Sequence, residues 1–383
     1  MIPRRVPLPH RPAMSFFLWG PRQTGKSTLL RTLYADAHWI DLLDTDALIR
    51  FTQRPALLRE EIQGLPQRQL VVIDEVQKVP GLLDEVHWLI ENRHRVFVLC
   101  GSSARRVRRT HANLLGGRAL RFELFGLVSA ELGREFDVAR MLSHGYLPRH
   151  YLADLPQPLL RAYVQDYLKE EIMAEGLTRS LPVFSNFLAA AALTDGGTLS
   201  YATVARDCDV SAHTVRDYFQ ILVDTLLGRY LPAYVRRPKR RMIQSPKFYF
   251  ADVAVVNVLA KRGRLEPGSE LFGRAFENWV CHELSAYAQY SGRFHDLSYW
   301  RLTTGVEVDF IVDDMAYAIE AKASARAHAD HLKGLRELSR DHAKIKKRIL
   351  VSLDRTPRVT DDGIEILPYA AFAQRLWAGD LIS

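Results

Sequence analysis

The sequence predicts an α/β protein of more than one domain, and three observations carry that prediction. Up to about residue 149, short apolar segments alternate with amphipathic ones, the pattern of a parallel sheet covered by helices. A loop, Gly20-Pro21-Arg22-Gln23-Thr24-Gly25-Lys26-Ser27, joins the first of these segments to a helix start and fits G-x-x-x-x-G-K-[ST]. With 383 residues, 48% hydrophobic and 25% charged, the chain is ordinary in composition and too long for one hydrophobic core.

In chain order, strand-like segments fall at residues 16–19, 38–40, 70–73, 96–99 and 120–124, giving a first domain at 1–151. Residues 152–158, spaced leucines among Pro, Asp and Gln, look like a linker, and 159–175 reads as a long helix with Tyr163, Tyr167 and Leu168 at helical spacing. Linker and helical segment together take 152–187, the linker holding two leucines, Leu152 and Leu155. The pattern stays helical from 188 to 231, broken at Asp195-Gly196-Gly197 and Asp209-Val210-Ser211, before strand-like segments flank a basic turn. That small module is assigned 188–246. The remainder, 247–383, sets a helix around 276–290 against strands at 298–301, 306–312, 317–321 and 348–352, a second mixed α/β domain.

Gly20 and Gly25 let the loop backbone wrap a phosphate chain with its N–H groups, and the following helix N-terminus adds a favourable dipole. Lys26 would neutralise phosphate charge and Ser27 would ligate Mg²⁺, with Pro21, Arg22, Gln23 and Thr24 shaping the loop and Thr28 in the first helical turn. Leu70-Val71-Val72-Ile73-Asp74-Glu75 leaves two carboxylates at the exit of a β-branched strand, the end of the sheet that carries the loop. Asp74 would hold Mg²⁺ through water, and Glu75 would polarise the attacking water. Hydrolysis of a nucleoside triphosphate is therefore expected, beyond binding alone. A further strand ends in Cys100-Gly101-Ser102-Ser103, where Ser102, with Ser103 in reserve, suits a γ-phosphate sensor; capping a helix is the competing role. Arg118, after Gly116-Gly117, either reaches a neighbouring subunit's γ-phosphate or forms an ordinary surface ion pair.

Residues 201–208, a turn at Asp209-Val210, and residues 211–219 read as helix, tight turn, helix, with Ser211 a good N-cap. Val204, Ala205, Val210, Val215 and Phe219 would face inward, leaving His213, Thr214 and Arg216 where a recognition helix meets DNA. The basic turn Arg236-Arg237-Pro238-Lys239-Arg240-Arg241 resembles the wing of a winged helix, a module that also serves as a protein-docking platform. A second basic run, Arg105-Arg106-Val107-Arg108-Arg109, follows a strand end. The net charge of +8 favours a polyanionic partner such as DNA, while a solvated surface remains the plain alternative for each run.

In the last domain, Asp309 in Val306-Glu307-Val308-Asp309-Phe310 precedes Glu320-Ala321-Lys322 on a neighbouring strand. That order matches a metal-dependent phosphodiesterase: alternation turns Glu320 and Lys322 to one face, where the carboxylates hold Mg²⁺ and the lysine orients water. Glu277, from the preceding helix, would complete the metal shell of Asp309 and Glu320. Trp300, Arg301 and Thr304 would flank it, with hydrophobic support the plainer role for Trp300. A nuclease-like scaffold without cutting activity fits the same residues. The isolated Cys100, Cys208 and Cys281 suit buried small hydrophobes, and neither disulfide nor zinc is expected. No apolar run approaches the ~20 residues that cross a bilayer, and residues 1–12 hold no signal-peptide core, so a cytosolic protein without a membrane partner is expected.

The combination resembles a widespread prokaryotic family of predicted AAA-type ATPases with a C-terminal domain of uncharacterised function. The resemblance rests on residues 20–28, 71–77, 100–103, 113–118, 167–172, 214–219 and 248–252 together with Glu277, Asp309, Glu320 and Lys322. One departure is Ala251-Asp252-Val253-Ala254, where Asp-Thr-Gly-Leu or similar is expected. The resemblance implies a P-loop AAA-type ATPase domain, then a winged helix, then a restriction-endonuclease-like domain. It further implies Mg²⁺–ATP as cofactor and homo-oligomers, hexamers among them, in which Arg118 would act across an interface. The leading functional expectation is an ATPase that moves along, remodels or surveys DNA, branched DNA included, its last domain binding or cutting it. The alternatives are an ATP-switched signalling, defence or toxin–antitoxin scaffold, and a nuclease gated by ATP.

Overall fold

The computed structural model describes residues 2–103, 115–167, 180–235 and 241–382. They form two compact units, one of Val6–Gly126 with Ile221–Leu227, the other of Met1–Arg5, Leu127–Gln220 and Gly228–Ser383.

The first unit is built on strands β1 (Ser15–Trp19), β2 (His38–Asp41), β3 (Val71–Asp74), β4 (Phe97–Gly101) and β5 (Ala119–Glu123), interleaved with helices α1 (Lys26–Leu33), α2 (Thr45–Gln53), α3 (Leu57–Gln63) and α4 (Leu82–Arg93). All pairings are parallel, in the order β2-β3-β4-β1-β5. Every residue of β1, β3 and β4 is buried, as expected of parallel strands covered on both faces. Phe17, Ile73, Leu99, Val86 and Leu89 join one apolar core. The order has a functional consequence: β4 lies between β1 and β3, so the carboxyl ends of these three strands open onto one crevice.

In the second unit, short helices α5 (Ser129–Leu132), α6 (Val138–His144), α7 (Pro148–Leu152) and α8 (Pro156–Ala162) come first. Residues 127–151, placed by sequence in the first domain, thus pack here. The expected helix at 159–175 begins earlier, at Pro156, and widens into a π turn over Tyr163–Tyr167; its remainder lies outside the described residues. Next come α9 (Leu181–Leu193), α10 (Tyr201–Cys208), α11 (Ala212–Asp224), whose residues from Ile221 on count with the first unit, and the antiparallel pair β6 (Gly228–Leu231) and β7 (Lys247–Phe250). Rings of Phe184, Phe187, Tyr218, Phe219 and Phe248 pack together with centroids 4.7–5.3 Å apart, which fixes β7 against the helices.

After α12 (Val253–Leu259), the 21-residue α13 (Glu270–Tyr290) crosses a six-stranded sheet of β8 (Leu297–Arg301), β9 (Glu307–Val312), β10 (Tyr317–Lys322), β11 (Lys347–Ser352), β12 (Arg358–Val359) and β13 (Ile364–Pro368). The sheet is mixed, in the order β12-β13-β11-β10-β9-β8, with β10, β11 and β13 parallel. Phe276, Trp279 and Val280 of α13 share a core with Phe310, Ile319 and Ile349 of the strands. On the other face, α14 (Lys333–Asp341) approaches so closely that a Cβ at Gly334 would stand 1.9 Å from the Glu307 carbonyl. Helix α15 (Tyr369–Ala378) closes the unit.

Candidate functional site: a phosphate loop and a buried carboxylate cluster

The loop after β1 is held by backbone geometry that only some residues tolerate. Gly25 takes φ 91°, a left-handed value natural to glycine, and Gln23 takes φ 64°. A Cβ on Gly20 would lie 2.5 Å from the Leu124 carbonyl, so the loop start is sealed against the end of β5. Thr24 is fully buried and donates to the Pro21 carbonyl at 2.8 Å, bracing the turn. Lys26 heads α1, and its Nζ donates to the carbonyls of Gly20 (2.7 Å) and Pro21 (3.0 Å), holding an ammonium over the loop. Ser27 is half-buried beside it, while Thr28 points outward.

At the end of β3, Asp74 is buried and accepts from the Glu75 N–H at 3.0 Å. Glu75 then takes φ 56°, which swings its own carboxylate off the strand direction. Burial pushes the Glu75 carboxyl up, Lys26 opposes this, and Asp74 adds to it. Gln77, unassigned by sequence reasoning, ties the crevice together: its amide donates to the Glu75 carboxylate and to Ser102 Oγ at 3.0 Å. It is buried, and so is Ser102. Gly101 makes room for it, since a Cβ there would fall 2.2 Å from Gln77 Oε1 and 2.6 Å from the Trp19 ring. Ser103 Oγ approaches the Asp224 carbonyl at 3.5 Å. Loop, Asp74, Glu75 and Ser102 therefore meet at the carboxyl end of the sheet. Ser27 and Asp74 carry oxygens of the kind Mg²⁺ takes, so the side chains present would suit Mg²⁺ with a nucleotide.

Arg118, just after the short turn Leu115–Gly117, pairs with Glu91 of α4 on the surface, both side chains being half exposed. Of its two expected roles, the surface ion pair is the one seen in a single chain. The run at 105–109 lies outside the described residues.

In the helix pair, Ser211 caps α11 by accepting from the Thr214 N–H at 3.0 Å. His213 and Arg216 are exposed as expected, but His213 pairs with Asp217 at 3.2 Å and Arg216 stacks on Tyr201 at 5.1 Å. The basic turn is described only at Arg241.

The C-terminal residues do converge, with a difference. Asp309 and Glu320 adjoin: Glu320 accepts from the Asp309 N–H at 3.3 Å, and Asp309 accepts from the Ala321 N–H at 3.0 Å. Lys322 lies 2.7 Å from Glu320 and 3.8 Å from Asp309. Burial, reinforced by Asp309, pushes the Glu320 carboxyl up, and Lys322 opposes the shift. Glu277, however, is engaged by Lys247 at 2.9 Å and by the Tyr249 hydroxyl. Lys247 also pairs with Glu307 and, at 3.5 Å, with Asp309. The expected set Glu277, Asp309 and Glu320 is thereby divided by an ammonium. Among the described residues no three His, Cys, Asp or Glu side chains are placed to hold a metal ion, so the residues do not fit a resident Mg²⁺ here. Neither Lys247 nor Glu307 was singled out from sequence; a lone lysine in Lys247-Phe248-Tyr249-Phe250 was the available signal. Trp300 is buried in support, while Arg301 pairs with Glu307 at 3.1 Å.

Other buried carboxylates are structural. Asp252 accepts from the N–H groups of Tyr146 (2.8 Å), Leu147 (3.2 Å) and Ala254 (2.8 Å), which gives a purpose to the unusual 251–254 turn. Glu283 accepts from Ser129 N and Oγ, both at 2.8 Å, and from Trp377. The three cysteines are buried and free.

A phosphate loop, a strand ending in Asp-Glu, and an intervening parallel strand define a P-loop nucleoside triphosphatase fold. Consistently, residues 13–133 match the AAA domain family. Residues 135–266 match a domain of unknown function (DUF8612), and residues 272–372 another (DUF4143). No curated protein is significantly similar to the chain. Among solved structures it is similar to the Aeropyrum pernix ORC1 protein, solved in complex with DNA, at 12% identity over 65% of this chain and 87% of that one, with a TM-score of 0.29. The ORC2 protein of Aeropyrum pernix, in its ADP form, gives 13% identity, 65% and 88% coverage and a TM-score of 0.30. Can2 from Sulfobacillus thermosulfidooxidans, in complex with cyclic tetra-adenylate, gives 14%, 96%, 97% and 0.20. No described helix is long and apolar enough to cross a membrane.

Proposed function

We propose that the chain is a Mg²⁺-dependent ATP hydrolase that acts on DNA, in translocation, remodelling or the processing of branched DNA. The observation that carries the hydrolytic half is the bridge from Glu75 through Gln77 to Ser102, set beside Lys26. The loop N–H groups and Lys26 bind the phosphates, Ser27 and Asp74 would hold Mg²⁺, and Glu75 takes the proton of the attacking water. Mg²⁺ supplies charge neutralisation on the phosphates when bound. Burial of Glu75 favours its proton-accepting role, because a raised carboxyl is the stronger base. Gln77 is a positioning residue: it orients Glu75 and lets Ser102 respond to the terminal phosphate. Arg118, freed from Glu91, would complete the site of a neighbouring copy in an oligomer.

The DNA half is supported by the net charge of +8, the basic runs at 105–109 and 236–241, and the exposed His213 and Arg216 on α11. A second reading, an ATP-switched signalling or defence scaffold that docks protein partners, is favoured by the lysine among the C-terminal carboxylates, which suits a domain that does not cut. ATP hydrolysis measured with and without single-stranded, duplex and four-way-junction DNA separates the two. Stimulation by DNA supports the first; hydrolysis indifferent to DNA, with no DNA affinity at low salt, supports the second.

A further inference from the structure

The carboxylates of the second unit come from separate elements: Glu277 from α13, Glu307 and Asp309 from β9, and Glu320 from β10. Glu307 and Asp309 are two residues apart on one strand and so face the same way. Into the space they define comes a side chain from outside the sheet, Lys247 at the start of β7. Alternation along β7 sends Lys247 and Tyr249 to this side and Phe248 and Phe250 to the other, where Phe248 packs on Phe219 at 4.7 Å. The register of β7 with β6, Leu231 opposite Lys247, keeps the lysine at this position.

Lys247 is 3% exposed in its side chain. An ammonium has three donors and no acceptor, and three carboxylates receive it: Glu277 at 2.9 Å, Glu307, and Asp309 at 3.5 Å. Lys322 serves the other oxygen of Asp309 and Glu320, and Arg301 serves Glu307. Mg²⁺ in the same space would need near-octahedral oxygens at about 2.0–2.1 Å, a demand that a buried ammonium among the same carboxylates opposes by volume and by charge.

We propose that Lys247 is the resident cation of this cluster: it stands where a metal ion would stand in a nuclease-like arrangement, so the C-terminal domain binds no divalent metal and does not cleave DNA. The lysine instead fastens the β6–β7 module to the C-terminal sheet. A buried charge unites the two elements, and either element alone would leave it unpaired.

The proposal is independent of the phosphate loop, and its test is run on the full chain without nucleotide. Mn²⁺ binding is followed by calorimetric titration and by the thermal midpoint, in the wild type, Asp309→Asn and Lys247→Met. Wild type and Asp309→Asn should take up Mn²⁺ identically, any weak uptake at Ser27 and Asp74 being common to both. Lys247→Met, which keeps the length and removes the charge, should gain one Mn²⁺ site and a midpoint that rises by several degrees with the metal. A site in the wild type that Asp309→Asn abolishes overturns the proposal, and so does a folded Lys247→Met that acquires none. Should Lys247→Met fail to fold, the wild-type and Asp309→Asn comparison decides alone. Loss of ATP hydrolysis in Lys26→Ala, with Mn²⁺ behaviour unchanged, keeps the two readings apart.

Discussion

Gly101→Ala adds a single methyl group at the point where the hydrolytic crevice is tightest. Its Cβ would meet Gln77 Oε1 at 2.2 Å and the Trp19 ring at 2.6 Å. Real carbon atoms do not approach so closely, so something must move. Pushing the Trp19 ring back disturbs a stack with Phe17 at 5.2 Å in the fully packed core, and overpacking of that kind costs about 1–3 kcal/mol. Turning Gln77 aside breaks its bonds to Glu75 and Ser102, each worth about 1 kcal/mol net. The sum is a loss of about 3–5 kcal/mol in stability. The larger effect falls on rate, because Glu75 loses its orienting partner and a misplacement near 1 Å costs about 100-fold. Urea unfolding gives the first quantity and steady-state phosphate release the second, with KM for ATP expected to change little. Adding Gln77→Ala to Gly101→Ala removes the closer overlap, and should recover part of the stability and none of the rate. Gly101→Ala with wild-type stability and wild-type turnover would refute the reasoning.

Lys26→Ala should abolish measurable nucleotide binding, checked with a fluorescent ATP analogue. Glu75→Gln should keep binding and slow hydrolysis by about 10²–10⁴-fold in single-turnover assays; unchanged turnover would remove Glu75 from the proton transfer. Burial lifts Glu283 to about 7, above the range of an unfolded carboxyl. The folded chain therefore holds this proton more tightly, and the associated stability, full at low pH, is lost as pH rises from about 4 towards 7. Glu283→Gln should flatten that part of the urea-midpoint profile by about one proton, and an unaltered slope would count against it. Gly334→Ala should destabilise the chain by about 1–3 kcal/mol or more through the clash with the Glu307 carbonyl, read by urea unfolding; a midpoint equal to wild type would count against so close a helix–sheet contact.

Much of the first unit was legible from sequence because its information is local. The loop at residues 20–27 and the strand ending in Asp74 and Glu75 are contiguous stretches whose dihedral and burial requirements are written in glycine placement and β-branched runs. All five strands appear within a residue or two of expectation. Strands β8 to β11 were readable for the same reason, whereas β12 and β13 were not expected. The boundary between the units was not: residues 127–151 have the composition of either, and only long-range contacts such as Ser129 with Glu283 assign them.

What the sequence determined by itself, then, is the nucleotide-binding loop, its two carboxylates and the strand-helix alternation that presents them. Tertiary structure alone decided who their partners are. Gln77 looks like any polar turn residue until strand order sets β4 beside β3 and brings Ser102 to its amide. Glu277, Asp309 and Glu320 satisfy a metal-binding pattern in one dimension, and only the packing of β7 against α13 and β9 puts Lys247 among them. A sequence pattern records which groups are available. Burial makes a charge choose its counter-ion, and that choice is made by whichever side chain folding delivers to it.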